Sequence, residues 1–259
     1  MRIKGYELET PNPQLDTSEA TDEVNPKPKT MKLLLFDIDG TILKTHIGRQ
    51  SIDQTLTRLC GRPISSEQVS FSGKTDPQIM QEILLRNGLS APEAAALVPE
   101  VLEVYVEAAR QTIASHRIEV LPGVRDLIDH LAAQDAVQLA LLTGNLDVTA
   151  YLKLEAVGLA GYFPFGAFGS DHADRAELPS IAVRRAYAHT GRSYTGKDIV
   201  IIGDSENDVR CGRGVGAFAV AVATGRDSRA ALAAQSPDLL LDDLCDHDLF
   251  MRNVVNHAG

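Results

Sequence analysis

Short apolar runs recur along the chain, and each one ends at a glycine or at polar residues. The runs cover residues 33–36, 137–142, 163–168, 199–202 and 218–222. Segments with apolar residues at helical spacing lie between the later runs, and two of them open near Pro122 and Pro179. Apolar strands that alternate with amphipathic helices are typical of a parallel sheet covered by helices on both faces. We therefore predict an α/β fold built on a doubly wound parallel sheet.

One long interval interrupts this alternation of strands and helices. No strand-like run occurs between Thr41 and Pro122, and the pattern there predicts helices over residues 48–60, 76–87 and 92–115. An all-helical insert directly after the first strand would stand over the carboxyl end of the sheet, as a cap that can close and exclude water. The predicted parts are an extended or disordered tail at 1–30, a core at 31–45 and 119–250, and the helical cap at 46–118.

Composition and charge narrow the possible classes of function. The chain has 259 residues and a formal net charge of −10, which disfavours nonspecific binding to nucleic acid or to an anionic membrane. No apolar run approaches the roughly 18–20 residues of a membrane span. Three widely spaced cysteines, Cys60, Cys211 and Cys245, favour neither a disulfide framework nor a zinc site. We expect a cytoplasmic monomer or homodimer whose partner is a small molecule.

Candidate chemistry begins where the first apolar run ends. Asp37 and Asp39 flank a single isoleucine there, and Gly40-Thr41 follows them. Side chains two residues apart in an extended segment point to the same side, so both carboxylates would share one pocket at the edge where open α/β sheets build their sites. Two carboxylates in one pocket need a cation, a shared proton, or both. The simpler alternative is an Asp-Gly turn at a strand end, and this segment alone does not decide between them.

Other strand ends carry polar groups toward the same edge of the sheet. These groups are Thr143, Gly144 and Asn145 after one strand, Asp204 and Asp208 after another, and Arg175 beyond a third. Carboxylates without a nearby His or Cys are ligands for a hard cation, Mg²⁺ before Mn²⁺ or Ca²⁺. Thr143 can hold one phosphoryl oxygen and Arg175 can neutralise a second. This combination suits phosphoryl transfer, where positioning and charge neutralisation supply most of the catalysis.

These residues resemble the motifs of the haloacid dehalogenase superfamily, in particular phosphoglycolate phosphatase-like members with a helical cap after the first strand. Residues 37–41 match the D-x-D-G-T motif, 142–145 match an apolar strand that ends in Thr, and 203–208 match G-D-x-x-x-D. The resemblance covers residues 31–235 and implies a Rossmann-like core. It also indicates that Ala223-Thr224-Gly225 ends the last core strand.

The resemblance implies a role for each site residue. Asp37 would attack phosphorus and form an aspartyl-phosphate. Asp39 would protonate the leaving oxygen and then activate water, and crowding among the carboxylates would favour its acid form. The implied Mg²⁺ ligands come from Asp37, the main-chain carbonyl of Asp39, and Asp204, with Asp208 orienting a bound water. The residues implied to bind the phosphoryl group are Thr143, Gly144 and Asn145.

The third motif of this family usually contains a lysine, and here the sequence departs from the pattern. Arg175 stands at the expected distance before a predicted helix, and a guanidinium suits a phosphoryl group in charge and in fork geometry. We assign the catalytic cation to Arg175. Lys153 and Lys197 are interpreted as surface lysines.

A loop of the predicted cap, residues 72–77, allows two interpretations. Gly73 permits a sharp turn and Lys74 could reach an anionic leaving group, in a position where the family tends to place substrate-binding residues. The loop also suits a helix start, with Thr75 or Asp76 as the N-cap and Pro77 in the first turn. Both interpretations can hold together.

The sequence thus predicts a Mg²⁺-dependent phosphatase for a small phosphorylated metabolite. A phosphomutase of the β-phosphoglucomutase type remains open, because its cap loop also has a glycine followed by polar residues. A receiver module of a signalling protein also joins acidic residues, Mg²⁺ and a phosphorylated Asp. Such a module is much shorter than this chain and has no helical insert after its first strand.

Overall fold

A computed structural model describes residues 31–45, 49–113 and 117–256. The predicted tail at 1–30 and a few residues at both ends of the predicted cap lie outside the described residues. The strands are β1 Lys32–Phe36, β2 Leu43–Thr45, β3 Ile118–Val120, β4 Val137–Leu142, β5 Gly166–Ala167, β6 Ile199–Gly203, β7 Phe218–Val222 and β8 Leu239–Leu241. The helices are α1 Arg49–Cys60, α2 Asp76–Arg86, α3 Ala91–Ile113, α4 Val124–Ala132, α5 Asp147–Glu155, α6 Leu178–Thr190, α7 Glu206–Cys211, α8 Arg229–Ala234 and α9 His247–Phe250.

Six of the strands form one parallel sheet in the order β5-β4-β1-β6-β7-β8. The first strand, β1, lies in the interior of the sheet, where Leu34 pairs with Leu139 on one side and Val200 on the other. All five β1 residues are buried, which agrees with an apolar run that does not alternate with polar residues. The position of β1 places whatever follows Phe36 at the middle of the sheet edge.

Helices cover both faces of the sheet. The inner faces of α4 and α5 pack on one side, through residues such as Leu127 and Leu154 in the larger hydrophobic cluster. The helix α6 packs on the other side through Leu178, Ala182 and Ala186. The predicted doubly wound α/β fold is confirmed. Within the described residues, no helix is both long and apolar enough to cross a membrane.

The segment between β1 and α4 is largely helical and has a hydrophobic cluster of its own. Helices α1, α2 and α3 bury Leu56, Ile83 and Val101 in this cluster, which is separate from those on the sheet. The chain leaves and re-enters the core through an antiparallel ribbon, in which Leu43 of β2 pairs with Val120 of β3. The prediction that no strand occurs between Thr41 and Pro122 is therefore wrong. Each of these strands has three residues, too few to show a period.

The chain after β7 also differs from expectation. A further strand, β8, pairs with β7 in parallel, so Ala223-Thr224-Gly225 does not end the last strand of the core. After α9 the chain continues in a π-helical turn, Met251–Val255, beyond the predicted core limit at residue 250. Val254 and Val255 are buried against the sheet cluster, which explains why this turn is ordered.

Candidate active site

Asp37 stands directly after β1, at the carboxyl edge of the sheet. Its backbone N–H donates to the carbonyl of Ile202 at 2.9 Å, so the ladder with β6 extends as far as this residue. The residue is only 6% exposed. The loops after β4 and β6 flank this position and bring Thr143 and Asp204 to the same edge. The local sequence thus places one carboxylate at the middle of the carboxyl edge of the sheet, where open α/β sheets form their binding sites.

Three buried carboxylates meet here. Asp37, Asp204 and Asp208 each present an oxygen, and these oxygens lie within 4.8 Å of one another. Glycines make room for Asp204, because a Cβ atom at Gly40 or Gly225 would overlap its carboxylate. Among the remaining polar neighbours, the Thr41 hydroxyl donates to Asp204 Oδ1 at 3.2 Å.

This crowding shows in the acid–base properties of the cluster. Burial, and then the neighbouring carboxylates, raise the pKa of Asp37 to about 7, against the opposing effect of Arg175. Burial and the charges of Asp37 and Asp208 also hold the pKa of Asp204 well above its ordinary value. Three carboxylates that share one guanidinium leave a deficit of positive charge. An all-oxygen donor set of this kind fits a hard divalent cation such as Mg²⁺.

Asp208 is the most firmly held of the three carboxylates. It occupies the third position of α7 and forms a capping box with Ser205, in which Asp208 Oδ2 accepts from the Ser205 backbone N–H at 2.9 Å and hydroxyl at 2.6 Å. Its other oxygen, Oδ1, accepts from Arg175. With both oxygens engaged by the protein, Asp208 is better placed to orient the site than to ligate an ion directly.

Arg175 reaches the acidic cluster from a 3₁₀ turn, Arg175–Glu177, just before α6. Its guanidinium is buried and donates to Asp37 Oδ1 at 3.1 Å, to the Leu142 carbonyl at 3.3 Å, and to Asp208. Burial alone would lower its pKa, but Asp208 and Asp37 outweigh burial and raise it, so the group stays charged. The Arg175 Nε is buried without a hydrogen-bond partner among the described residues. The structure therefore brings Asp37 together with Arg175, the residue predicted to be the catalytic cation.

Asp39 faces a different environment. Its half-buried carboxylate turns away from the acidic cluster and accepts three hydrogen bonds: to Oδ2 from Lys153 Nζ at 2.6 Å and Asn145 Nδ2 at 2.7 Å, and to Oδ1 from the Thr45 hydroxyl at 3.1 Å. Burial would raise the pKa of Asp39, but the charge and hydrogen bonds of Lys153 and its other donors lower it below its ordinary value. The expectation that crowding by carboxylates favours the acid form of Asp39 is wrong.

Lys153 is not a surface lysine, and that interpretation is also wrong. It is 5% exposed, and its ammonium group contacts both Asp39 and the Asn145 Oδ1, at 2.6 Å each. The buried face of α5 comprises Thr149, Ala150, Lys153 and Leu154. This spacing of three and four residues was the available signal, because it places Lys153 on the same face as the apolar positions. Lys197, by contrast, is half exposed and pairs with Asp238.

The loop after β4 carries the three residues predicted to bind a phosphoryl group. The Thr143 side chain is buried, and its Oγ1 accepts from Asn145 Nδ2 at 2.8 Å. Both amide hydrogens of Asn145 are thus committed, one to Thr143 and one to Asp39. Gly144 contacts the loop before α2, where a Cβ atom would overlap the Lys74 carbonyl. For Asn145 and Gly144, the observed contacts are with the protein itself, and substrate binding stays a prediction.

The loop before α2, in the helical insert that we refer to as the cap, lies directly on this edge of the sheet. Gly73 has φ +62°, and a Cβ atom there would overlap the side chains of Ser205 and Asn207. Lys74 forms an ion pair with Glu82 on α2, within the cap. Thr75 is the N-cap of α2, and its hydroxyl donates to the Ala173 carbonyl at 2.6 Å. These contacts hold the loop closed over the strand ends.

Sequence reasoning missed a second role for the start of α2. The Asp76 backbone N–H donates to the Gly144 carbonyl at 2.7 Å, and its Oδ2 accepts from the Leu146 N–H at 3.0 Å. Asp76 therefore links the cap to the loop that carries Thr143. Burial raises the pKa of Asp76 to about 6, against the opposing charge of Lys153. The sequence of a helix N-terminus identifies the N-cap residue but not the loop that the helix will contact.

Comparisons with known proteins agree with this arrangement. The chain is 26% identical over 222 residues to a phosphoglycolate phosphatase of Pseudomonas syringae, covering 83% of this chain and 78% of that protein. It is 28% identical over 221 residues to one of Pseudomonas fluorescens, covering 82% and 77%.

Solved structures with the same fold include CbbY from Rhodobacter sphaeroides in complex with phosphate. That structure has a TM-score of 0.64 and 21% identity, and the match covers 84% of this chain and 96% of that one. A family model for haloacid dehalogenase-like hydrolases matches residues 31–216, which is more than half of the sequence. The predicted resemblance and the prediction of an enzyme are therefore confirmed, and the chain belongs to the haloacid dehalogenase-like hydrolase family.

Proposed function

We propose that this protein is a Mg²⁺-dependent phosphatase that hydrolyses a small phosphomonoester through a phosphorylated Asp37. The observation that carries the proposal is the burial of Asp37 between one guanidinium, from Arg175, and two further carboxylates, from Asp204 and Asp208. Such a site is short of positive charge until a cation binds. It also offers a carboxylate nucleophile beside a group that neutralises phosphoryl oxygens.

The first step transfers the phosphoryl group to the protein. An oxygen of Asp37 attacks phosphorus while the bond from phosphorus to the ester oxygen breaks, and Asp39 gives its proton to that leaving oxygen. Arg175 and Thr143 hold the phosphoryl oxygens. Because Lys153 keeps Asp39 ionised at rest, Asp39 has to take up a proton, from solvent or from the monoanion of the ester, before this step.

The second step releases phosphate. The Asp39 carboxylate accepts a proton from water, the water oxygen attacks phosphorus, and the bond to Asp37 breaks. The ionised form of Asp39, which Lys153 favours by lowering the pKa of this carboxyl, suits this step. Asp37, Asp204 and the main-chain carbonyl of Asp39 would hold Mg²⁺, with Asp208 held behind them by Arg175. A bound Mg²⁺ supplies positive charge that offsets the carboxylates and the phosphoryl oxygens.

Phosphoglycolate is the first substrate to test. Curated relatives with this activity in their names match more than four fifths of the chain. The closed cap loop also favours a small ester, because Gly73 and Gly144 leave no room between the loop and the strand ends.

Hydrolysis of p-nitrophenyl phosphate with and without Mg²⁺ tests the proposal. We expect Mg²⁺-dependent release of phosphate by the wild-type chain and a loss of roughly 1,000-fold or more in kcat for Asp37→Asn, since the nucleophile is removed. The matched control is Asp238→Asn, a surface carboxylate paired with Lys197, which should retain wild-type activity. Undiminished activity of Asp37→Asn would refute the mechanism, and phosphate transfer to a sugar phosphate in place of release would indicate a mutase.

A further inference from the structure

We infer that Lys153 is a positioning residue that fixes the Asp39 carboxylate for proton transfer to the leaving group. The inference rests on the proposed phosphatase function. It adds a residue that the motifs of this family do not contain, because the cation of the third motif is already supplied by Arg175. The hydrogen-bond geometry around Asp39 supports this role.

The two oxygens of Asp39 are not equivalent. Oδ2 accepts short hydrogen bonds from Lys153 and Asn145, which occupy both of its lone-pair directions. Oδ1 accepts a single hydrogen bond, from Thr45. Among the described contacts, Oδ1 therefore has the free lone pair. Lys153 thus determines which carboxylate oxygen can exchange a proton with the ester.

Lys153 also fixes the orientation of Asn145. A lysine ammonium only donates hydrogen bonds, so the Asn145 atom that faces it at 2.6 Å has to be the carbonyl oxygen. The amide nitrogen then points to Asp39 and to Thr143, at 2.7 and 2.8 Å. Through Asn145, Lys153 connects the group that moves the proton to the group that holds the phosphoryl oxygen.

The cap encloses this arrangement. Thr55 of α1 and Tyr105 of α3 line a cavity of about 10 Å³ beside Lys153, which is room for about one water molecule. Lys153 is 5% exposed, and the ion pair of a buried ammonium group is stronger than one at the surface. Lys153 is therefore held between Asp39, Asn145 and the closed cap.

The test compares two esters of nearly the same shape that differ in leaving-group basicity. The phenol oxygen of phenyl phosphate needs a proton as it departs, whereas the less basic p-nitrophenolate leaves p-nitrophenyl phosphate without one. We expect Lys153→Met to lower kcat/KM for phenyl phosphate roughly 10- to 100-fold more than for p-nitrophenyl phosphate, in line with the usual contribution of a positioned general acid. Lys153→Gln, which keeps an N–H donor, should show a smaller change in this ratio and serves if the methionine variant does not fold.

Lys32→Met is the matched control. Lys32 is also buried and paired with an aspartate, Asp198, but it lies at the opposite end of β1. Its loss should lower stability and leave the ratio of the two esters unchanged. If a folded Lys153 variant keeps the wild-type ratio, the inference is wrong and Lys153 is a structural residue. If the wild-type chain hydrolyses neither ester with Mg²⁺, the proposed function itself fails.

Discussion

Asp37 and Asp39 are two residues apart, yet their carboxylates have opposite environments. Asp37 lies among carboxylates, and burial raises its pKa to about 7. Asp39 lies among donors, and Lys153 together with its other donors lowers its pKa in spite of burial. The different neighbours suit the two groups to different chemistry: Asp37 lies in a carboxylate cluster that could hold a cation, and the donors around Asp39 favour its ionised form.

The raised pKa of Asp37 predicts a pH dependence of stability in the metal-free protein. The folded chain binds a proton at Asp37 more tightly than the unfolded chain, whose aspartates titrate near 3.8. The free energy of unfolding should therefore fall as the pH rises from about 4 to about 7. Asp37→Asn removes this contribution. Urea denaturation in EDTA at several pH values should give a shallower decline for the variant, and an unchanged slope would contradict the assignment.

Arg175 should be as important for stability as for activity. Arg175→Met leaves Asp37 and Asp208 buried without their cation, and breaking a buried ion pair from one side costs about 3–5 kcal/mol. The exposed pair of Arg229 and Asp242 offers the control, because Arg229→Met should cost about 1 kcal/mol or less. Chemical denaturation without metal measures both. Equal small losses would show that Arg175 is not the counter-charge of the cluster.

At the level of elements, the closed loop before α2 depends on two glycines. Gly73 lets the cap loop approach Ser205, and Gly144 lets the Lys74 carbonyl approach the loop after β4, more closely than any side chain would permit. The hydrogen bonds of Thr75 and Asp76 to the core then hold this approach. Each of these contacts joins the cap to a loop that carries a site residue. Movement of the cap would therefore change the site directly.

Gly73→Ala should keep the cap open while the fold persists. The new Cβ would overlap Ser205 and Asn207, and separation of cap and core relieves the overlap. Gly61→Ala is the matched control, because Gly61 has nearly the same φ, +64°, but has no atom near its Cβ position. Both variants share a backbone cost of about 1–2 kcal/mol. We expect a loss of about 100-fold in kcat/KM for Gly73→Ala alone, measured with p-nitrophenyl phosphate; equal activities would refute loop closure as a requirement.

The limits of sequence reasoning differ between elements and side chains. Apolar runs predicted β1, β4, β6 and β7, because a strand buried on both faces needs a continuous run. The ribbon of β2 and β3 was not predicted, because a strand of three residues shows no period and the pairing joins segments more than seventy residues apart. The buried position of Lys153 was not predicted for a related reason. Its partner Asp39 is 114 residues away, and only the folded chain shows that a lysine on the inner face of α5 has a carboxylate to pair with.

Across the whole molecule, separate hydrophobic clusters stabilise the sheet core and the cap. The clusters on the two faces of the sheet fix the strand ends that carry Asp37, Thr143 and Asp204. The separate cluster of α1–α3 lets the cap hold its own shape. Between the cap loop and the strand ends, the contacts described above are hydrogen bonds and close approaches at glycines. This division suits an enzyme that has to admit a small ester and then exclude water from it.

Trapping the covalent intermediate shows directly whether Asp37 becomes phosphorylated. The protein is mixed with Mg²⁺ and p-nitrophenyl phosphate, quenched in acid during turnover, and reduced with borohydride, which converts an aspartyl-phosphate into homoserine. Peptide mass spectrometry then locates the product. We expect homoserine at position 37 in the wild-type chain and none when substrate is omitted. Homoserine at another aspartate, or turnover that leaves every aspartate unmodified, would contradict this expectation.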